Sequence, residues 1–187
     1  MKLRFAWLPC VCAGALLAAE HPQVPGVSNF HQVDVRVYRG AQPSGRGFEN
    51  LAGLGIKTVI DLRPGGEHSL THEKRVVEGL GMRYVSLPLK KMTAPSGSQI
   101  AALLQLILDG SAAPVFIHCQ RGADRTGAVI ACYRIAHDHW DNGRALQEAR
   151  NYGMRWYQLA LKSYVLSYQP PLTSIASTPS ITADLPR

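Results

Sequence analysis

The densest run of chemistry-bearing residues is His118, Cys119, Gln120, Arg121, Gly122, Ala123, Asp124, Arg125, Thr126 and Gly127. Six residues separate Cys119 from Arg125, so a soft nucleophile is paired with a planar, permanently charged fork that matches two oxygens of a tetrahedral oxyanion. The thiolate is the reactive form of cysteine, and both Arg125 and the N-terminus of a following helix favour that anion. Attack on phosphorus would give a phosphocysteine and split ester hydrolysis into two easier steps. Backbone N–H groups over Gln120, Arg121, Gly122, Ala123, Asp124 and Arg125 can turn inward as an anion-binding nest, and Gly122 supplies the backbone angles this requires. Thr126 can donate its hydroxyl to the departing sulfur. His118 can orient the loop through its ring nitrogens, and Gly127 is expected to keep the next helix close to the strand. This chemistry needs no metal or cofactor, and no ligand cluster for a metal stands out.

Such a loop works only if the elements on either side aim it. Pro114 to His118 is an apolar run of the kind found in buried parallel strands, and Thr126 to Ala136 is a strongly apolar helix. Strand, loop and helix together set Cys119 beyond a strand's carboxyl end and at a helix N-terminus, where open α/β sheets bind anions. Upstream, Val35 to Arg39 alternates into a short strand ending at Gly40, and Phe48, Leu51 and Leu54 form a helical face. Lys57 to Leu62 is a β-branched strand stopped by Pro64-Gly65-Gly66. His72 to Leu80 reads as a helix closed by Gly81, and Met82 to Leu87 as the next strand. Ser96 and Gln99 fit a capping box before the core-spaced Ile100, Leu103, Leu104, Ile107 and Leu108. Arg144 to Tyr152 and Tyr157 to Tyr168 read as two further helices. Alternating strands and helices imply an α/β fold with a mostly parallel central sheet.

The chain has 187 residues, enough for one well-buried domain, and a formal net charge of +7. The excess of cations suits an anionic partner. Lys and Arg are scattered rather than run together and no zinc-finger spacing occurs, so nucleic acid is not expected as a partner. Lys2 and Arg4 precede an apolar stretch from Phe5 to Leu17, with small residues at Ala15, Ala18 and Ala19. Residues 1–19 therefore read as a signal peptide, implying export to the periplasm or the medium. The stretch is shorter than the roughly 20 apolar residues a spanning helix needs, so no stable membrane insertion is expected after its removal. Residues 20–34 read as a leader, 35–168 as the catalytic domain, and 169–187, rich in Pro, Ser and Thr, as a disordered tail. Loss of the signal would remove Cys10 and Cys12. Cys132, about two turns into the helix after the loop, is expected to be a buried apolar side chain rather than a disulfide partner of Cys119.

The loop resembles the signature of the protein tyrosine phosphatase superfamily, His-Cys-x5-Arg-Ser/Thr, and is most similar to its bacterial, exported, dual-specificity-like members. The flanks Tyr38-Arg39-Gly40-Ala41-Gln42-Pro43, Thr58 to Arg63 and Tyr133-Arg134-Ile135 carry the same resemblance. It implies a four- or five-stranded sheet flanked by helices and a phosphocysteine mechanism. The implied substrate is protein phosphotyrosine with broader specificity open, or alternatively a phosphoinositide or inositol phosphate. A catalytically inactive phospho-binding module is a third reading, weakened by intact Cys119, Arg125 and Thr126.

The pattern departs from the family at the proton donor. Family members carry an Asp on a loop upstream of the cysteine, whereas Pro88 to Pro95 contains no carboxylate. Asp124 is then either the general acid or a shaping residue of the loop. Asp61, just before Arg63, reads as structural, and Glu67 and His68 as a solvated turn near the rim. Arg63, Lys90, Lys91 and Arg121 are the basic residues expected around a bound phosphate.

Overall fold

The computed structural model describes residues 23–171 except His68, and not the side chains of Glu67 and Leu70. The expected signal peptide and all but the first residues of the expected tail thus lie outside the described residues.

A two-residue strand β1 (His31–Gln32) leads into β2 (Val37–Gly40), α1 (Gly45–Gly53), β3 (Thr58–Asp61) and, after a short 3-10 turn, α2 (Leu70–Gly79). Then follow β4 (Arg83–Ser86), α3 (Gly97–Leu108), β5 (Val115–His118), α4 (Asp124–His137), α5 (Asn142–Asn151) and α6 (Leu159–Ser167). The five strands form one sheet in the order β1-β2-β5-β3-β4, parallel except for β1. This is the mostly parallel α/β sheet that the alternating pattern implies.

The apolar run Val115-Phe116-Ile117 lies at the sheet's centre, buried on both faces. Val115 and Ile117 face a core shared with α3, α4, α5 and α6, whereas Phe116 and Val59 face one built from α1, α2 and the N-terminal segment. Strand register sets the site. Gly40 and Asp61 are both paired with His118, so β2, β5 and β3 end level and Cys119 is the first residue beyond them. Helix α4 is apolar all round because it lies between the sheet and α5 and α6.

Helix starts follow local side-chain chemistry. Ser44, Ser69 and Asp141 each accept a hydrogen bond from a first-turn N–H, and Ser96 with Gln99 forms the full capping box. Two boundaries differ from the sequence reading. The strand expected from Val35 begins at Val37, because Asp34 Oδ1 accepts from the N–H groups of Arg36 and Val37 and turns the chain there. Residues 23–34, read as leader, are built into the domain: Val24, Val27 and Phe30 are buried, and Phe30 stacks on Phe116 at 6.3 Å. The folded unit therefore begins well before residue 35. Cys132 is fully buried, its thiol pushed up to about 12 by that burial, and neither it nor Cys119 forms a disulfide. Among the described residues no helix is long and apolar enough to cross a membrane.

Candidate active site

The loop from Cys119 to Ala123 is held by its carbonyl oxygens. His118 Nδ1 lies 3.4 Å from the Cys119 oxygen, and the Gln42 N–H donates to the Gln120 oxygen at 3.3 Å. Asn29 Nδ2 donates to the Arg121 oxygen at 3.3 Å, and Arg39 Nη2 to the Gly122 oxygen at 2.7 Å. In a trans peptide the next N–H points opposite to the carbonyl. Oxygens drawn outward therefore leave the N–H groups of residues 120 to 123 facing the other way, as an anion nest requires. Gly122, at φ +65°, makes the tightest approach: a Cβ there would lie 2.2 Å from the Gly40 carbonyl carbon and 2.5 Å from the Ala41 nitrogen. No other residue fits.

Arg39 is fully buried and lies 4.6 Å from the centre of the Tyr152 ring. Burial lowers its guanidinium to about 10, against the pull of Glu148, Tyr152 and Cys119, so it remains charged at neutral pH. Asn29, at φ 51°, also donates to the Tyr152 carbonyl and thereby ties the N-terminal segment to both the loop and the end of α5.

Within the loop's mouth is a cavity of about 240 Å³. Cys119, Gln120, Arg121, Asp124 and Arg125 form one side. Lys91 and Met92 form a second, and Arg155, Tyr157, Gln158 and Leu161 a third. This is below the ~300 Å³ at which drug-sized sites begin, which suits a phosphoryl group and its immediate carrier. Arg125 is buried, and its Nη1 donates to the Leu62 and Leu89 carbonyls at 3.4 Å each, which ties it to the chain beyond β3 and β4. Asp124 is the only carboxylate in the lining among the described residues. Its Oδ1 accepts from the Arg155 N–H at 2.9 Å and its Oδ2 from Arg121 Nη1 at 3.5 Å.

The structure corrects several sequence expectations. Gly127 faces α5 rather than the sheet: a Cβ there would lie 3.3 Å from both Ala149 Cβ and Met154 Cε, so its small size lets two helices meet. Thr126 is fully buried and its hydroxyl has no hydrogen-bond partner among the described residues, so no bond to the sulfur is present. Of the expected basic residues, Lys91 and Arg121 line the cavity, but Lys90 does not and Arg63 is buried elsewhere. His68 and the Glu67 side chain lie outside the described residues. Arg155, Tyr157 and Gln158 were overlooked because they precede α6 in an irregular segment whose only sequence signal is the cluster itself.

Behind the loop is a buried polar cluster that the sequence reading did not foresee. Arg63 donates to Asp61 through Nε at 2.9 Å and Nη2 at 3.0 Å, and also to Glu73 Oε2. Glu73 Oε1 meets His118 Nε2 at 2.9 Å, and the Tyr84 hydroxyl donates to Asp61 at 2.9 Å. Burial alone would raise both carboxyl groups. Arg63 outweighs it at Asp61 and His118 outweighs it at Glu73, and both lie below the ordinary carboxylate range. Asp61, Glu73 and His118 bring ligand atoms within 4.8 Å of one another, but the Arg63 guanidinium already supplies the cation between the two carboxylates. Asp61 is structural, as its place before Arg63 implies.

The sequence model of a family described as a DSP-PTPase phosphatase fused to NAD+ kinase matches residues 21–165. The chain belongs to this phosphatase family. Dual specificity protein phosphatase TpbA of Pseudomonas aeruginosa (strain UCBPP-PA14) is 30% identical over 125 residues, which is 67% of this chain and 55% of that protein. A probable chloroplastic NAD kinase 2 of Oryza sativa is 30% identical over 114 residues, 59% of this chain and 12% of the kinase. The chain thus spans about half of the first of these relatives and a small part of the second. Inositol diphosphatase DSP3 of Arabidopsis thaliana is 27% identical, covering 70% of this chain and 66% of that one. The fold is shared with crystal structures of P. aeruginosa TpbA (TM-score 0.68, 24% identity, 80% of this chain and 89% of that one). It is equally close to the catalytic domain of the S. cerevisiae PP-IP phosphatase SIW14 (TM-score 0.67, 22% identity, 79% and 89%). A DSP-PTPase domain accounts for the match beginning at residue 21, since the chain from Val24 onward packs into the core.

The crowding at Gly122 gives a sharp expectation. Gly122→Ala combines a strained φ with a backbone clash, so it should cost about 1–3 kcal/mol of stability and weaken binding of inorganic phosphate. Denaturant unfolding and phosphate titration measure the two. Phosphate binding and stability both equal to wild type would contradict the close-approach role.

Proposed function

We propose that the protein is a phosphatase that hydrolyses phosphate monoesters through a phosphocysteine on Cys119, with phosphotyrosine in proteins as its substrate and phosphoserine and phosphothreonine as further ones. One observation carries the reading: Cys119 and Arg125 line one cavity at the mouth of a loop whose carbonyls are drawn away from it. In the first step the Cys119 thiolate attacks phosphorus, the P–S bond forms, the ester P–O bond breaks, and the leaving oxygen takes a proton from Asp124. In the second, water attacks the phosphocysteine, gives its proton to Asp124 and releases phosphate and the thiolate. Arg125 and the loop's N–H groups stabilise the charge on the transferring phosphoryl oxygens. Thr126, with its unpartnered hydroxyl, is free to turn toward the sulfur as it leaves. Export from the cytoplasm, on the strength of residues 1–19, is part of the same proposal.

The apolar surfaces of Met92, Tyr157 and Leu161 around the cavity support an aryl or peptide carrier, and a relative is named a dual specificity protein phosphatase. A second reading has its own observation. Lys91, Arg121, Arg125 and Arg155 line the cavity against the single carboxylate of Asp124, a field suited to a multiply phosphorylated inositol, and another relative is named an inositol diphosphatase. Steady-state kcat/KM on a phosphotyrosyl peptide, a phosphoseryl peptide and an inositol polyphosphate separates the two. The first reading expects the phosphotyrosyl peptide to be fastest; a preference for the inositol compound would replace it with the second.

Asp124→Asn keeps an oxygen to accept the Arg155 N–H but cannot deliver a proton. Turnover of an aryl phosphate with a poor leaving group should fall about 10²–10⁴-fold, and less for a good one. Wild-type turnover on both esters would remove Asp124 as the acid.

A further inference from the structure

The buried carboxylate of Glu73 reaches the loop by two routes. Its Oε1 meets His118 Nε2 at 2.9 Å, and the other nitrogen of that ring faces the Cys119 carbonyl at 3.4 Å. Its Oε2 accepts from Gln42 Nε2 at 3.1 Å, and the Gln42 backbone N–H donates to the Gln120 carbonyl at 3.3 Å. Glu73 comes from α2, on the face of the sheet opposite α4, so it braces the loop from the side away from the cavity helix. Each nitrogen of the His118 ring therefore faces an acceptor, and a neutral imidazole has a proton for only one of them. The charged groups around the ring are Asp61 and Arg63 beside β3, Glu73 on α2, and Cys119 itself, with Arg39 on β2 close to the thiol.

We infer that Glu73 is a positioning residue for Cys119: it braces the start of the loop through His118 and through Gln42, and holds the His118 ring as a two-proton donor beside the nucleophile. The inference rests on the phosphocysteine reading for its catalytic meaning, although its effect on Cys119 can be read without turnover. With two carboxylates and one guanidinium, the cluster carries a negative charge that a cationic His118 cancels. A cation one residue from Cys119 favours the thiolate. Replacing Glu73 by Gln removes the anion that holds that proton and loosens both braces at once.

The test is the rate of iodoacetamide alkylation at Cys119 as a function of pH, read by peptide mass spectrometry so that Cys132 is counted apart, together with kcat and KM on an aryl phosphate. Glu73→Gln should move the alkylation profile to higher pH, slow alkylation at neutral pH by roughly tenfold, and lower kcat more than it raises KM. Tyr84→Phe, which cuts the same cluster at its far end, should leave the alkylation profile in place even if the protein melts earlier. Gln42→Ala severs one brace without touching the buried ion pairs and should lower kcat a few-fold, so the inference stays testable if Glu73→Gln does not fold. An alkylation profile unmoved in Glu73→Gln, or a kcat unmoved in Gln42→Ala, overturns the inference. A wild-type protein that turns over no phosphate ester overturns the phosphatase reading instead, and the alkylation profile still decides the role of Glu73.

Discussion

The direction of a few peptide groups governs the rest of this molecule. A loop can present several N–H groups to an anion only if the matching carbonyls have partners elsewhere, because a buried carbonyl without one costs about 1–3 kcal/mol. Here the partners come from separate parts of the chain. His118 ends the central strand, Gln42 and Arg39 flank the end of β2, and Asn29 belongs to the N-terminal segment. The strand order β2-β5-β3 is what brings them within reach, since β5 must have a neighbour on each side for donors to converge on the loop that follows it.

Charge is spent freely behind this loop. Arg39, Arg63, Glu73, Asp61 and His118 are all buried, and a buried ion pair is a poor source of stability because desolvation offsets much of the attraction. Apolar residues of similar volume would pack as well. What they could not do is hold carbonyls and a histidine ring in fixed directions. The polar cluster is therefore better understood as geometry for the loop than as glue for the fold, and the apolar faces of β5 and α4 supply the burial that tolerates it.

Much of this was legible before any coordinates. The Cys119 to Arg125 spacing, the apolar strand before it and the apolar helix after it define the site locally, and the capping box at Ser96 fixes the start of α3 to the residue. Elements whose signal is local were read well for that reason. The N-terminal segment was not, because Val24, Val27 and Phe30 stand among Pro, Gly and Asn and show neither a helical nor a strand period. Glu73 and Gln42 were invisible as site residues for a different reason. Each is an ordinary polar residue in its own segment, and only tertiary contacts over 31 to 45 positions bring Glu73 to Gln42 and His118. Arg63 was misplaced for the same cause: its position after a strand suggested the pocket, whereas its carboxylate partners draw it into the interior.

Rapid acid quench of the protein during turnover of an aryl phosphate, followed by mass spectrometry of its peptides, decides whether the loop is the cradle of a phosphocysteine. A single phosphoryl group on the peptide carrying Cys119, appearing within the first turnover and absent from unreacted protein, is the expected result. Turnover with no phosphoryl group at Cys119 at any quench time, or with one on a different residue, would contradict it.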